Sequence, residues 1–388
     1  MSIPFIDLQA QRRRIAADID RAVQKTIESG AYILGPPVRA LEAELSAITS
    51  AAHTVSCANG TDALALPLMA WNVGPGDAVF CPSFTFAATA EIIAWTGATP
   101  VFIDIDPATY NIDSDHLERS IKGVLDAGGL TPRAVIAVDV FGQLANYDVI
   151  SEISRRYNLK LISDCAQSFG ATLHGKHPIA WADAVTTSFF PAKPLGCYGD
   201  GGAIQTNDDE LAALLLSLRM HGQASEQDRE EFGFDHQAKY LNVRVGLNSR
   251  LDSVQAAILL EKLKIFDDEI EKRNVVAKRY CDGLDGSVLQ TPTVIDGGLS
   301  VWAQFTIESA RRDGLASHLQ GQGIPSAVYY PIPMHQQQAY QEHVVIGDGL
   351  PITEDKAGQV ISLPMHPYLD EQTQSKIIDA VKAFNGNH

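Results

Sequence analysis

Short apolar runs alternate with amphipathic stretches over the first half of this chain. The runs at 54–57, 78–81, 100–105, 134–140 and 159–163 are almost unbroken by polar residues, as expected of strands buried on both faces. Between them, apolar residues at helical spacing predict helices near 38–48, 60–71, 85–95, 115–125 and 147–157. This alternation predicts an α/β domain whose mostly parallel sheet is covered by helices. Upstream, Ile15, Ile19, Val23 and Ile27 mark a helix that Gly30 stops, packed outside the main core or against a partner. Downstream come strands at 185–190 and 203–206, a helix at 208–220, and a polar stretch at 222–240 that reads as a mobile or partner-facing loop. A long helix with Leu251, Val254, Ile258 and Ile265 on one face then links to a smaller α+β domain. Its elements are strand 301–307, helix 312–322, strand 326–330 and a last helix carrying Ile377, Ile378, Val381 and Phe384. The expected division is a large domain at 1–275 and a small one at 276–388, with the helix within 1–30 packing at the small domain or an interface.

Sheets of this kind gather ligands at the carboxyl ends of their strands. Segments 59–61, 83–86, 164–167 and 188–193 all fall at predicted strand ends, so they should share one rim. No GxGxxG follows the first strand, which leaves a dinucleotide fold without support. Lys193 stands between Pro191 and Pro194, which oppose a helix there. Behind it Gly196, Gly199, Gly201 and Gly202 are expected to supply positive φ and close backbone approach. Gly60 and Thr61, where a strand feeds a helix, offer either an anion site of free N–H groups or an ordinary helix cap.

With 388 residues and 45 % hydrophobic content the chain can build real cores. Its net charge of −17 and the lack of a basic run oppose binding to nucleic acid or anionic membranes. Five scattered cysteines with no CxxC pair argue against a disulfide framework or structural metal site and for a reducing compartment. The first twenty residues have no signal-peptide core, which reads as cytoplasmic.

A lysine on a restrained loop, with Asp164 ending an upstream strand, suits a cofactor aldehyde held as a Schiff base, whose ring nitrogen needs a carboxylate. Asp164 also suits a strand-end cap of the next helix, and Phe86, like most phenylalanines, suits the core as well as the face of an aromatic ring. Ser188 and Thr61 are candidate phosphate donors, and Gln167 a neighbour of the ring hydroxyl.

The set NGTDAL at 59–64, PSFTFAATA at 82–90, SDCAQSFGA at 163–171, SFFPAKPLGCYGDGGA at 188–203 and VGLNSRLDSVQAAIL at 245–259 resembles the DegT/DnrJ/EryC1/StrS sugar aminotransferases, in order and over nearly the whole chain. The resemblance implies a fold-type-I enzyme using pyridoxal 5'-phosphate (PLP), active as a homodimer with shared sites. It matches Lys193 to the Schiff-base lysine, Asp164 to the ring-nitrogen partner, Phe86 to the stacking aromatic and Gln167 to the residue beside the ring oxygen. Gly60, Thr61 and Ser188 match the phosphate cradle, and Asn248 an asparagine that reaches the neighbouring subunit's phosphate. Lysine at 193, where some relatives carry histidine and act as dehydratases, implies transamination from L-glutamate to a keto sugar. Together with VYYPIPMHQQQAY at 328–340, the version here is most similar to members acting at C3 of UDP-2-acetamido-2-deoxy-3-oxo-glucuronate in surface-polysaccharide (O-antigen) synthesis. Alternatives are a C4 or C3 aminotransferase on another dTDP- or UDP-keto sugar, or a catalytically idle regulatory relative. Arg250, Tyr329, Tyr330 and His335 are candidates for the acceptor's anionic groups, with a role in an interface equally open.

Overall fold

The computed structural model describes residues 3–233, 240–347 and 349–385. Its central sheet has eight strands in the spatial order His53–Cys57, Gly202–Thr206, Ala184–Ser188, Lys160–Asp164, Thr131–Val138, Asp77–Pro82, Thr99–Ile103 and Val344–Val345. Gly202–Thr206 runs antiparallel to both its neighbours, and the other seven point the same way. The carboxyl ends of those seven therefore share one rim.

The period of two along each strand builds two separate cores. Phe80, Val101, Val135 and Leu161 enter the layer formed with Leu41, Leu45 and Ile121. Their neighbours Val79, Phe102, Ile136 and Ile162 enter the opposite layer with Leu64, Leu68 and Ile204. Helices thus cover both faces, which is why these strands lack alternating polar positions. A third core, containing Tyr280, Phe305, Leu315, Leu363, Ile377 and Val381, belongs to the smaller α+β part around the strands Phe305–Glu308 and Val360–Leu363.

The amino-terminal helix Ala16–Ser29 ends at Gly30 with φ 67°, and Ile15 and Ile19 pack on Ile258 outside the main cores. Four features depart from the sequence-based reading. The single long helix is two, Ser253–Leu263 and Phe266–Leu284, broken at non-helical Ile265. The break lets Ile258 face the amino-terminal helix, while Phe266 turns onto Phe169 with ring centroids 5.8 Å apart. No strand forms at 326–330, where Ala327 makes a lone bridge to Ser362 and Pro331 and Pro333 follow without N–H donors. The strand expected at 301–307 is confined to Phe305–Glu308, because Trp302 has φ 49° and Val301 bonds to Gly142 instead. Within 222–240, a short helix Glu226–Phe232 is opened by a Ser225–Asp228 capping box; residues 234–239 lie outside those described.

The position 275–276 falls inside the helix Phe266–Leu284, whose Phe266 and Ile270 belong to the large core and whose Val276 to Leu284 half belongs to the small one. Polar clamps reinforce the junction. Asp104 accepts from the N–H groups of Ile352 (3.0 Å) and Thr353 (2.7 Å), at the start of the helix Pro351–Gln359. Glu308 is buried and accepts from both Tyr110 Oη (2.6 Å) and Lys356 Nζ (2.7 Å). Among the described residues, no helix is long and apolar enough to cross a membrane, and all five cysteines are free.

Removing one partner of a buried ion pair leaves the other charge uncompensated. Lys356→Met is therefore expected to lower unfolding stability by about 3 kcal/mol, read from urea denaturation; a loss well under ~1 kcal/mol would show that the Glu308 clamp is not a stabilising link.

Candidate active site

The rim assembles around a three-strand register in which Cys57 pairs with Gly202 and Gly202 with Ser188. The helix Gly60–Ala70 starts there, capped by Asn59, whose Oδ1 accepts from Asp62 N at 2.8 Å. The N–H groups of Gly60 and Thr61 have no partner among the described residues and remain at the positive end of the helix dipole. Ser188 lies directly beside them: a Cβ on residue 60 would stand 2.6 Å from Ser188 Cβ and 3.0 Å from its Oγ.

From Ser188 the chain enters the loop that carries Lys193. Phe189 N donates to Gly201 O (2.7 Å), Cys197 N to Phe189 O (2.8 Å) and Lys193 N to Phe190 O (2.9 Å), closing the loop on itself. None of Gly196, Gly199, Gly201 and Gly202 has positive φ, contrary to the expectation for them. Their smallness serves packing instead. A Cβ on Gly196 would meet Pro191 O at 2.5 Å, one on Gly201 would meet Leu251 at 2.7 Å, and one on Gly202 would run into Asn59 O.

The helix Ser253–Leu263 supports this loop from outside. Lys262 is 2 % exposed and donates from Nζ to Gly196 O at 2.5 Å, while its ammonium also lies 4.4 Å from the centre of the Tyr198 ring. Gln255 accepts from Tyr198 N at 2.9 Å. Burial brings the Lys262 ammonium down to about 8. Neither residue figured among the sequence-based candidates. Leu251, Gln255 and Lys262 recur at helical spacing, but a buried lysine bonded to a carbonyl contradicts the ordinary preference of that residue type for solvent.

Asp164 ends the strand Lys160–Asp164 next to the strand that delivers Lys193, and is 7 % exposed. Its Oδ1 accepts from Ala166 N at 3.0 Å, and Oδ2 receives no donor among the described residues. Burial raises its carboxyl above the usual range, opposed by the backbone bond and by the charge of Lys193. Burial likewise lowers the Lys193 ammonium, opposed by the charge of Asp164. The two groups feel each other, and among the described residues they form no direct ion pair and Lys193 Nζ has no hydrogen-bond acceptor.

Gln167 is buried and held at both ends of its amide. Oε1 accepts from Phe141 N (2.9 Å) and Nε2 donates to Tyr330 Oη (2.9 Å). Phe86, before the helix Ala87–Trp95, is 60 % exposed, an unpacked ring on the rim. The remaining candidates lie in two segments, 248–250 and 329–335. Asn248 is exposed, bridged to Met220, and Arg250 is half-buried, its guanidinium donating among the described residues to Met220 Sδ at 4.0 Å. Tyr329 packs on Phe5 and Tyr330. Both ring nitrogens of His335 are engaged, by Ser83 Oγ (2.7 Å) and Glu354 Oε1 (3.0 Å). An open cavity of about 540 Å³ is lined by Ala87, Met334, Gln337 and Tyr340. Among the described residues no cluster of His, Cys, Asp or Glu is arranged to hold a metal ion.

The residues present fit PLP. Unpaired N–H groups beside Ser188 suit its phosphate, the open oxygen of Asp164 suits its ring nitrogen, and the unpaired amine of Lys193 suits its aldehyde.

The model of the DegT/DnrJ/EryC1/StrS aminotransferase family matches residues 13–382. A UDP-2-acetamido-2-deoxy-3-oxo-D-glucuronate aminotransferase of Pseudomonas aeruginosa is 47 % identical over 370 residues, covering 95 % of this chain and 96 % of its own. The crystal structure of a DegT DnrJ EryC1 StrS aminotransferase from Brucella abortus superposes with a TM-score of 0.94 at 48 % identity, covering 99 % of this chain and 100 % of that one. NtdA from Bacillus subtilis, solved with bound cofactor PMP, gives a TM-score of 0.87 at 28 % identity, covering 100 % and 86 %. The fold is thus that of the fold-type-I aminotransferases, with a large mixed α/β domain and a smaller carboxyl-terminal α+β domain.

Because the folded state lowers the Lys262 pKa from 10.5 to about 8, the unfolded chain binds more protons between those values, and stability rises with pH across that window. Lys262→Met should flatten this rise between pH 8 and 10 in thermal melts and lose the bond to Gly196. An unaltered slope would mean that Lys262 is not held in the enclosed, carbonyl-bonded position.

Proposed function

Because the chain belongs to the DegT/DnrJ/EryC1/StrS aminotransferase family, we propose that it is a PLP-dependent enzyme that moves an amino group from L-glutamate to the C3 ketone of a nucleotide-linked sugar. We take that sugar to be UDP-2-acetamido-2-deoxy-3-oxo-glucuronate, and the product to enter bacterial O-antigen synthesis. The observation that most supports the reading is that Asp164 ends one strand while Lys193 lies on the loop leaving the adjacent strand, each desolvated and each with an atom that has no hydrogen-bond partner among the described residues. Similarity to the Pseudomonas aeruginosa glucuronate aminotransferase supports the choice of sugar.

When bound, PLP supplies an electron-poor ring that accepts the electron pair left when a proton departs the carbon beside nitrogen. In this reading Asp164 keeps a proton on the ring nitrogen, and its protein-free Oδ2 is the atom that does so. Gly60 and Thr61 N–H and Ser188 Oγ would hold the phosphate, Phe86 would cover the ring and Gln167 would stand by its hydroxyl. Lys193 would hold the aldehyde carbon. Once free, its neutral amine, favoured by desolvation, takes and returns the proton at Nζ.

The active form in this proposal is a homodimer. Asn248 reaches the partner's phosphate, and Phe190, Tyr198 and Val245, all exposed in one chain, are covered by the partner. Arg250, Tyr329, Tyr330 and His335 face the acceptor's anionic groups, and the chain divides at 275–276.

L-Glutamate added to PLP-loaded protein should yield stoichiometric 2-oxoglutarate, measured by a coupled dehydrogenase assay, and Lys193→Ala should slow this half-reaction by ~10³-fold or more. A mutant that keeps the wild-type rate would remove Lys193 from the chemistry; protein that binds PLP but never turns over any amino acid would fit an idle regulatory relative. Offered a panel of UDP- and dTDP-keto sugars, the enzyme should place nitrogen at C3, as read by NMR of the product. Amination at C4 would overturn the assigned regiochemistry while leaving the aminotransferase intact.

A further inference from the structure

The side-chain orientation of Gln167 is fixed by two partners from distant parts of the chain. The first is a backbone donor. Phe141 has φ 63°, a left-handed conformation that a bulky residue adopts only under constraint from its surroundings. That constraint is visible: Val140 N donates to Asn111 Oδ1 at 2.9 Å, Ala145 N donates to Asp139 Oδ1 at 2.8 Å, and Gly142 turns against Trp302 with φ 109°. The Phe141 N–H is thereby aimed at Gln167 Oε1. An N–H donates only, so the oxygen of the amide must be the atom that faces it, and the NH₂ group must face the other way.

The second partner is Tyr330. Its hydroxyl accepts from Gln167 Nε2 at 2.9 Å, and its ring is buttressed edge-on by Phe84 at 6.0 Å. Tyr330 reaches the rim because the irregular stretch that carries it is tied down farther along. Met334 N donates to Ser83 O (2.9 Å), His335 N donates to Ser83 Oγ (3.1 Å), and Val344–Val345 joins the sheet edge. One proton of the Gln167 NH₂ is spent on Tyr330, and the second is left to donate.

Resting on the reading of Gln167 as the neighbour of the PLP ring oxygen, we propose that Tyr330 is a positioning residue, which together with the Phe141 N–H locks Gln167 as a hydrogen-bond donor toward that oxygen. Tyr330 acts through Gln167 and lies in the segment 326–340, which also carries Tyr329 and His335. Movement of that segment is therefore transmitted to the electronic state of the cofactor. A donor at the ring oxygen stabilises its anionic form and lowers the pH at which the bound cofactor titrates.

The test is a spectrophotometric pH titration of PLP-loaded protein for the wild type, Tyr330→Phe, Gln167→Ala and the double variant, with melting temperatures checking that each is folded. Tyr330→Phe keeps the ring against Phe84 and removes only the hydroxyl. We expect both single variants to titrate about half a unit to one unit higher than wild type, and the double variant to match Gln167→Ala, since the two act as one unit. A shift in Gln167→Ala with none in Tyr330→Phe overturns the role of Tyr330 and leaves the site reading standing. Fully additive shifts overturn it too, because Tyr330 would then touch the ring directly. No shift in either single variant, or no PLP bound by wild type, overturns the underlying reading of the site.

Discussion

The close approach of three backbones at Gly202 is the constraint on which the rim depends. Gly202 lies between Cys57 and Ser188 in the sheet register, with the carbonyl of Asn59 where a side chain would be. Any Cβ there would push apart the start of the helix Gly60–Ala70 and the strand Ala184–Ser188. Those two elements supply the unpaired N–H groups and Ser188, and the second leads straight into Lys193. The antiparallel strand Gly202–Thr206 thus ties the anion-binding corner to the lysine loop, so neither can shift alone.

Electrostatics at the site follow from burial more than from pairing. Desolvation pushes the Asp164 carboxyl up and the Lys193 ammonium down, and each partially restores the other's charged form. A direct ion pair would have quenched both groups. Keeping them apart, with Oδ2 and Nζ unbonded by protein, leaves two reactive atoms that a ligand spanning the gap can satisfy. Lys262 shows what the same burial does to an amine that is engaged by protein: it donates to the Gly196 carbonyl, lies over the Tyr198 ring and serves as a prop.

Much of this was legible in the sequence, and the failures have physical causes. Near-continuous apolar runs gave away the sheet because both its faces are covered, and Asp164, Ser188 and Ser83 could be placed on one rim because parallel strands end together. The small part was harder. Val344–Val345 is too short to carry a period, and it pairs with Thr99–Ile103 from over two hundred residues away. Tyr329 and Tyr330 have strand-forming side chains, yet prolines at 331 and 333 and the reach toward Gln167 override that propensity. For the glycines behind Lys193, composition showed that small residues were needed but not why. The reason, close backbone at Gly196 and Gly202 and the side chains of Gln255 and Leu251 at Gly199 and Gly201 rather than positive φ, is a three-dimensional fact.

The chain carries a charge of −17, yet the reading given to its rim requires it to hold a phosphate and a sugar nucleotide, both anions. Long-range attraction cannot supply this, so the local donors must. Several guanidinium groups are already committed: Arg219 to Glu42, Arg244 to Asp228, Arg273 to the carbonyl of Trp302. Arg250 has no acceptor among the described residues other than the Met220 thioether, which leaves most of its donors for a ligand. The free N–H groups of Gly60 and Thr61 carry no net charge and are fixed by the helix itself, so they lose little entropy on binding and are screened less by salt than mobile surface cations would be. A site built this way selects an anion by the shape and direction of its oxygens, while the acidic surface around it repels polyanions that cannot enter the rim.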